Sequence, residues 1–237
     1  MTTLNTQTTV GDLVRQQPSR SRVFENLKID YCCGGKIPLA QACAKHGLDV
    51  DDVLKQLQDA ADVSDNCVDV DSMTLAELAD HVEQTHHAYL RVELPRLDQM
   101  TEKVARVHGD KLASLKQIRE VFIAFQAELA EHMMKEERIL FPIIRTIEKS
   151  QATQSFHCGS VANPIAQMER EHDNAGNAMA QFRELTDNYT APDWACNTFR
   201  AMYDALYELE QNMHQHVHKE NNVLFPKAIS LEESLAK

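Results

Sequence analysis

The chain has 237 residues, 43% of them apolar, with only seven Gly and seven Pro; this suits one large domain, or a main domain with a small partner, and argues against a turn-rich all-β or low-complexity chain. A formal net charge of -12 argues against the basic face that phosphate binding needs, so no nucleic-acid partner is expected. No stretch reaches the ~20 apolar residues that span a bilayer, and the first residues show no basic region followed by an apolar one; no membrane association and no secretory signal are expected, and the six cysteines are read as reduced thiols of a cytoplasmic protein.

Residues 1–65 read as a small helical N-terminal domain. Thr9 can cap "VGDLVRQQ", Pro18 interrupts it, and "RVFENLKI" follows. The break "DYCCGGKIP" leads into "LAQACAKHG", which Gly47 ends, and "DVDDVLKQLQDAA" is a further helix. The polar, aperiodic stretch 62–72 is placed as the domain boundary. From Thr74 the pattern changes to long helices. Thr74 and Glu77 form a candidate capping box opening a helix to about Val107, with Pro95 as a possible kink and Gly109 as its stop. Asp110 is expected to cap a second helix over 111–149, Asn163-Pro164 to open a third, and Pro192 a fourth. Residues 73–230 thus read as an antiparallel four-helix bundle, and the fold class as all-α.

Three of these helices carry apolar seams at steps of three and four. They run Ile118, Phe122, Phe125, Leu129, His132, Glu136, Ile139, Ile143; then Ile165, Met168, His172, Ala175, Met179, Phe182; then Phe199, Met202, Leu206, Leu209, Met213, His216, Glu220, Val223. Each seam places polar residues at core positions. His132 with Glu136, and His216 with Glu220, share a face at i,i+4, inside the matching segments "HMMKEERILFP" and "HVHKENNVLFP". A buried carboxylate must be paired, protonated or metal-bound, and no cation lies on these seams. The first helix adds His86 and His87. Leu75, Leu78 and Val82 aim the seam at His86, Leu90 and Leu94 aim it at His87, and spacing alone leaves both open. A helix with a lone His followed by a helix with His-x3-Glu therefore occurs twice, as in an internal duplication. Four imidazoles and two bridging carboxylates suit two iron ions sharing an oxo or hydroxo bridge, and the ligand set fits iron or manganese better than copper(I) or a thiolate zinc site. His81, His108, His157, His214 and His218 fall off the seams and are read as surface residues.

Cys32 and Cys33, in "DYCCGGK", are adjacent thiols beside glycines and Lys36, an environment that can expose them and favour thiolate. Cys43, Cys67, Cys158 and Cys196 have no metal-ligand spacing and are read as structural.

With "DYCCGGK", "HH" ahead of "ELP", "EHMMKEERILFP", "EREHDNAG" and "HVHKENNVLFP", nearly the whole chain resembles the di-iron iron–sulfur cluster repair family (RIC, ScdA or YtfE type), whose C-terminal part is hemerythrin-like. The resemblance implies iron ligation by His87, His132, Glu136, His172, His216 and Glu220, with the two Glu bridging. It selects His87 because the family's first ligand stands seven residues before the Leu of the Leu-Pro pair, here Leu94. Glu128 and Glu171 match acidic positions near the site. The implied function is repair of iron–sulfur clusters damaged by oxidative or nitrosative stress, by supplying iron, with Cys32 and Cys33 docking, reducing or relaying it. Its partners would be proteins with damaged clusters, with NO or O2 as small ligands, and it is compatible with a homodimer. The alternatives are reduction or scavenging of nitric oxide at the di-iron site, or an O2- or NO-binding carrier or sensor.

Overall fold

The computed structural model describes residues 4–60, 68–150, 152 and 156–236. Four short helices come first: α1 (Val10–Gln16), α2 (Ser21–Asn26), α3 (Leu39–His46) and α4 (Val50–Asp59). Thr9 accepts the Asp12 amide at the start of α1, Asp49 accepts the Asp51 and Asp52 amides at the start of α4, and Gly47 ends α3 in the left-handed region at φ 65°. Their inner faces close a small core of Val10, Leu13, Phe24, Tyr31, Leu39 and Leu57. The expected boundary falls partly on residues 61–67, which lie outside the described residues, as does Cys67.

Four long helices follow. The first, α5, runs Leu75–Val82, through a π-helical turn at Glu83–His87, and on over Ala88–His108. The second, α6, is Ser114–Lys135, a π turn at Glu136–Leu140 and Phe141–Lys149; α7 is Ala162–Leu185; α8 is Asn197–Lys219, a π turn at Glu220–Leu224 and Phe225–Leu235. The Thr74/Glu77 capping box forms as expected. Two expected starts do not. Asp110 instead accepts a hydrogen bond from Lys116 at 2.7 Å, and the helix begins at Ser114. Pro192 lies in the turn before α8, its carbonyl accepting the Ala195 amide at 2.9 Å. Helix α5 passes through Pro95 and ends at His108, with Gly109 at an ordinary φ of -64°.

The duplication extends to the helix ends. Glu148 takes the amides of Leu75 (2.5 Å) and Ala76 (3.0 Å) at the start of α5, and Glu232 takes the Val161 amide (2.9 Å) at the start of α7. Each stands 12 residues past the Glu of its His-x3-Glu pair. A carboxylate at a helix N-terminus satisfies orphan amides and complements the dipole.

The π turns account for one misread seam position. Ile139 is 45% exposed, whereas Leu140 is buried, because the extra residue after Glu136 rotates the apolar stripe by one position. Two apolar clusters result: one around Leu90, Phe122, Phe182 and Leu206, the other around Leu78, Ile144, Ile165 and Leu224. The polar seam residues form a layer between them.

The short helices sit against α8. The Tyr31 carbonyl is approached by His218 Nδ1 (3.3 Å) and accepts from Asn222 (3.4 Å), which also donates to the Cys32 carbonyl (3.2 Å). A Cβ on Gly11 would meet Asn222 Oδ1 at 2.4 Å, so glycine is needed for this approach. His218, expected at the surface, is buried here, and burial pushes its pKa down to about 4. His157 is exposed, and His81, His108 and His214 are half-buried. Among the described residues no helix is long and apolar enough to cross a membrane.

The register shift is testable by urea unfolding: Leu140→Ala is expected to cost about 2–5 kcal/mol and Ile139→Ala no more than about 0.5.

Candidate metal centre

Six buried side chains meet in the polar layer: His87 from the π turn of α5, His132 and Glu136 from α6, His172 from α7, and His216 and Glu220 from α8. They form two overlapping groups, His87/Glu136/His216/Glu220 and His132/Glu136/His172/Glu220, each with donor atoms within 4.8 Å of one another. Both carboxylates belong to both groups. Glu136 Oε2 lies 3.3 Å from Nε2 of His87 and of His132; Glu220 lies 3.1 Å from Nε2 of His172 and of His216.

The outer ring nitrogens decide what the inner ones can do. His87 Nδ1 donates to Glu137 Oε1 (2.7 Å), His132 Nδ1 to Glu171 Oε2 (3.0 Å) and His172 Nδ1 to Asn221 Oδ1 (2.8 Å). Each acceptor holds the proton on Nδ1 and leaves Nε2 with a bare lone pair. Yet Nε2 of His87 faces Nε2 of His216 at 3.2 Å, and Nε2 of His132 faces Nε2 of His172 at 3.1 Å. Two such nitrogens at this distance need a proton or a cation between them, and Nε2 of His216, whose Nδ1 has no acceptor, is itself hydrogen-bonded to Glu220 Oε1 at 3.1 Å. Both oxygens of Glu136 are also buried without a hydrogen-bond partner. Four nitrogens and two shared carboxylates, all aimed at one dry volume, fit a pair of cations.

Without cations two of the histidines, His87 and His172, are held toward the protonated form, while burial pushes His216 the other way. Burial opposes charge on His172, but the hydrogen bond and charge of Glu220 outweigh it and raise its pKa to about 9. Burial would likewise raise Glu220, yet the charge of His216 and hydrogen bonds from His172 and His216 hold it well below the usual carboxylate range. Cation binding must displace these protons. At the rim, the hydrogen bond with His132 brings Glu171 down to about 2, and Lys135 also donates to it at 2.7 Å.

His86 is buried but belongs to a different arrangement. Its Nδ1 faces Asn212 Oδ1 (3.1 Å), its Nε2 accepts from Lys219 (2.8 Å), and its ring stacks on His216 with centroids 5.3 Å apart. The π turn brings both His86 and His87 inward, which is why spacing pointed at each. Glu137 and Asn221 escaped the sequence reading, although both directly follow the Glu of a His-x3-Glu pair. Glu128 is exposed and lines a cavity of about 230 Å³ with His132, Lys135, Glu171 and His172. Cys32 and Cys33 join neither His/Glu group; with Asp30 they form a group of their own. The Lys36 ammonium donates to Glu169 at 2.6 Å rather than to either thiol.

A four-helix bundle with paired His/Glu groups on its axis defines a hemerythrin-type cation-binding domain, and residues 78–228 match the family model of the hemerythrin HHE cation binding domain. The chain belongs to that family. Residues 6–61 match a second model, the ScdA_N domain of unknown function. Over nearly its whole length the chain is also similar to proteins named iron-sulfur cluster repair protein YtfE. Those of Salmonella paratyphi B, Salmonella newport and Salmonella heidelberg are each 38% identical over 225 residues, covering 94% of this chain and 97% of theirs.

Glu137→Ala and Asn221→Ala are each expected to weaken ferrous-iron binding by about 10–100-fold in an anaerobic chelator competition, with the far-ultraviolet circular dichroism unchanged.

Proposed function

We propose that this chain holds two iron ions between His87, His132, Glu136, His172, His216 and Glu220, with both carboxylates bridging, and that it repairs damaged iron–sulfur clusters by supplying iron. The observation that carries this reading is the convergence of four imidazole Nε2 atoms and two fully buried carboxylates in one layer. The full-length similarity to proteins named for cluster repair supports the choice of iron and of repair. When bound, the iron pair supplies both exchangeable metal and one-electron chemistry.

The protein's own residues set how that metal is held. Glu137, Glu171 and Asn221 orient three of the four imidazoles and keep their protons on Nδ1. The apolar clusters on either side exclude water from the layer. Glu128, Glu131 and Glu171 place negative charge along the cavity that reaches His132 and His172, an electrostatic path for cations.

A rival reading, reduction of nitric oxide, draws on the same cavity, whose volume of about 230 Å³ reaches His132 and His172.

Anaerobic isolation followed by metal analysis is expected to give two irons per chain, and air oxidation near-ultraviolet oxo-bridge absorption; Glu136→Ala and Glu220→Ala are expected to lose both. Reactivation of a cluster enzyme by wild-type protein, but not by these variants, supports repair. Nitrous oxide formed over many turnovers with a reductant, without reactivation, would replace repair with the rival. One metal, zinc or none would sink both.

A further inference from the structure

Between the short N-terminal helices and the bundle runs a cleft of about 830 Å³, lined by Lys28, Asp30, Cys32, Cys33, Arg183 and His214 among others. The loop between α2 and α3 is wound around the Asp30 side chain. Its Oδ1 accepts the Cys32 amide at 2.8 Å, and its Oδ2 accepts the Gly34 amide at 2.8 Å. This fixes the carboxylate beside the thiols, with Cys32 Sγ 3.1 Å from Oδ1 and 4.0 Å from Cys33 Sγ. Asn222 of α8 holds the same loop from behind through the Tyr31 and Cys32 carbonyls.

Two thiolates and a carboxylate around one tetrahedral ion, at metal–sulfur distances near 2.3 Å, stand about 3.8 Å apart sulfur to sulfur and about 3.6 Å apart sulfur to oxygen. The observed separations lie within about half an ångström of these values, and all three donor atoms lie within 4.8 Å of one another. The group is open on one side. Asp30 is exposed and Cys33 half-buried, while Gly176 of α7 faces Cys33 with no side chain; a Cβ there would meet only Cys33 Sγ, at 3.9 Å. His214 Nδ1 is buried without a partner in the wall of the same cleft. Lys28 and Arg183 line the cleft as well, Lys28 donating to Asn188 at 2.9 Å and Arg183 to Glu210 at 2.7 Å.

We propose that Asp30, Cys32 and Cys33 form a second cation site, distinct from the bundle centre, which takes one borderline-soft divalent transition-metal ion such as ferrous iron or zinc through three protein ligands and leaves the fourth position open to the cleft. Binding forms two metal–sulfur bonds and one metal–oxygen bond and releases the two thiol protons to solvent; no electron is transferred. Until a cation arrives, the hydrogen bond to Cys33, burial and the charges of Cys33 and Asp30 hold the Cys32 thiol well above its ordinary pKa, so it is not an activated nucleophile. The inference goes beyond the bundle reading, since these donors are independent of what occupies the His/Glu layer.

The test is an anaerobic titration of the full-length protein, as isolated with its own metal, using cobaltous ion as the probe. One equivalent is expected to bind with a thiolate-to-cobalt charge-transfer band in the near ultraviolet. Asp30→Asn is expected to weaken that binding at least tenfold, and Cys33→Ala to abolish the band. The Glu136→Ala/Glu220→Ala variant is expected to keep it, so failure of the bundle centre is read separately. Cobalt binding without the band, or the band persisting in Cys33→Ala, overturns the proposal. In the unmutated protein, cobalt is also expected to slow alkylation of Cys33 at least tenfold; alkylation at an unchanged rate overturns it regardless of how the variants fold.

Discussion

Two carboxylates buried in one layer, with both oxygens of Glu136 lacking a hydrogen bond, are the constraint around which this protein is organised. Moving such charges out of water is expensive, and it is tolerated only where a counter-charge is available. The helices answer by surrounding Glu136 and Glu220 with four imidazoles and by fastening the outer nitrogens of three to Glu137, Glu171 and Asn221. The layer thus has two ways to be neutral, with protons on histidine or with cations. Its four converging Nε2 atoms suit the second. The apolar clusters on either side keep water from offering a third.

The same duplication governs the scaffold. Each half of the bundle uses a His-x3-Glu helix whose later Glu, 148 or 232, caps the helix that brings the other histidine. The residue that supplies metal-binding chemistry and the residue that anchors the neighbouring helix end therefore lie on one element at a set distance. The symmetry is incomplete. Where Glu171 precedes His172 and bonds His132, His86 precedes His87 and instead stacks on His216, whose Nδ1 is left without a partner.

Much of this was legible in the sequence, because histidines and glutamates repeated at matched spacing on apolar seams must meet counter-charges on the bundle axis. The all-α bundle and the convergence of His132, Glu136, His172, His216 and Glu220 follow from periods of three and four, and the Thr74 capping box from its Thr-x-x-Glu pattern, whereas spacing left His86 and His87 both open. What escaped was whatever depends on a single extra residue or on a distant partner. A π turn has no capping signature, and at each one both registers carry suitable side chains: His86 and His87, or Ile139 and Leu140. Asp110 and Pro192 have the right chemistry for helix starts, but each is engaged elsewhere. His218 looked like a surface residue because the loop that buries it lies nearly two hundred positions away in the chain. The direction of Lys36, toward Glu169 rather than the thiols, is a tertiary choice with no local signal.

The cavity beside the polar layer touches His132 and His172, while His87 and His216 lie behind them, covered by Phe141 stacked on His87 and by His86 stacked on His216. Whatever enters through that opening meets His132 and His172 first and reaches His87 and His216 only past them, so the two halves of a layer that is nearly symmetric in its ligands are unequal in their access to solvent.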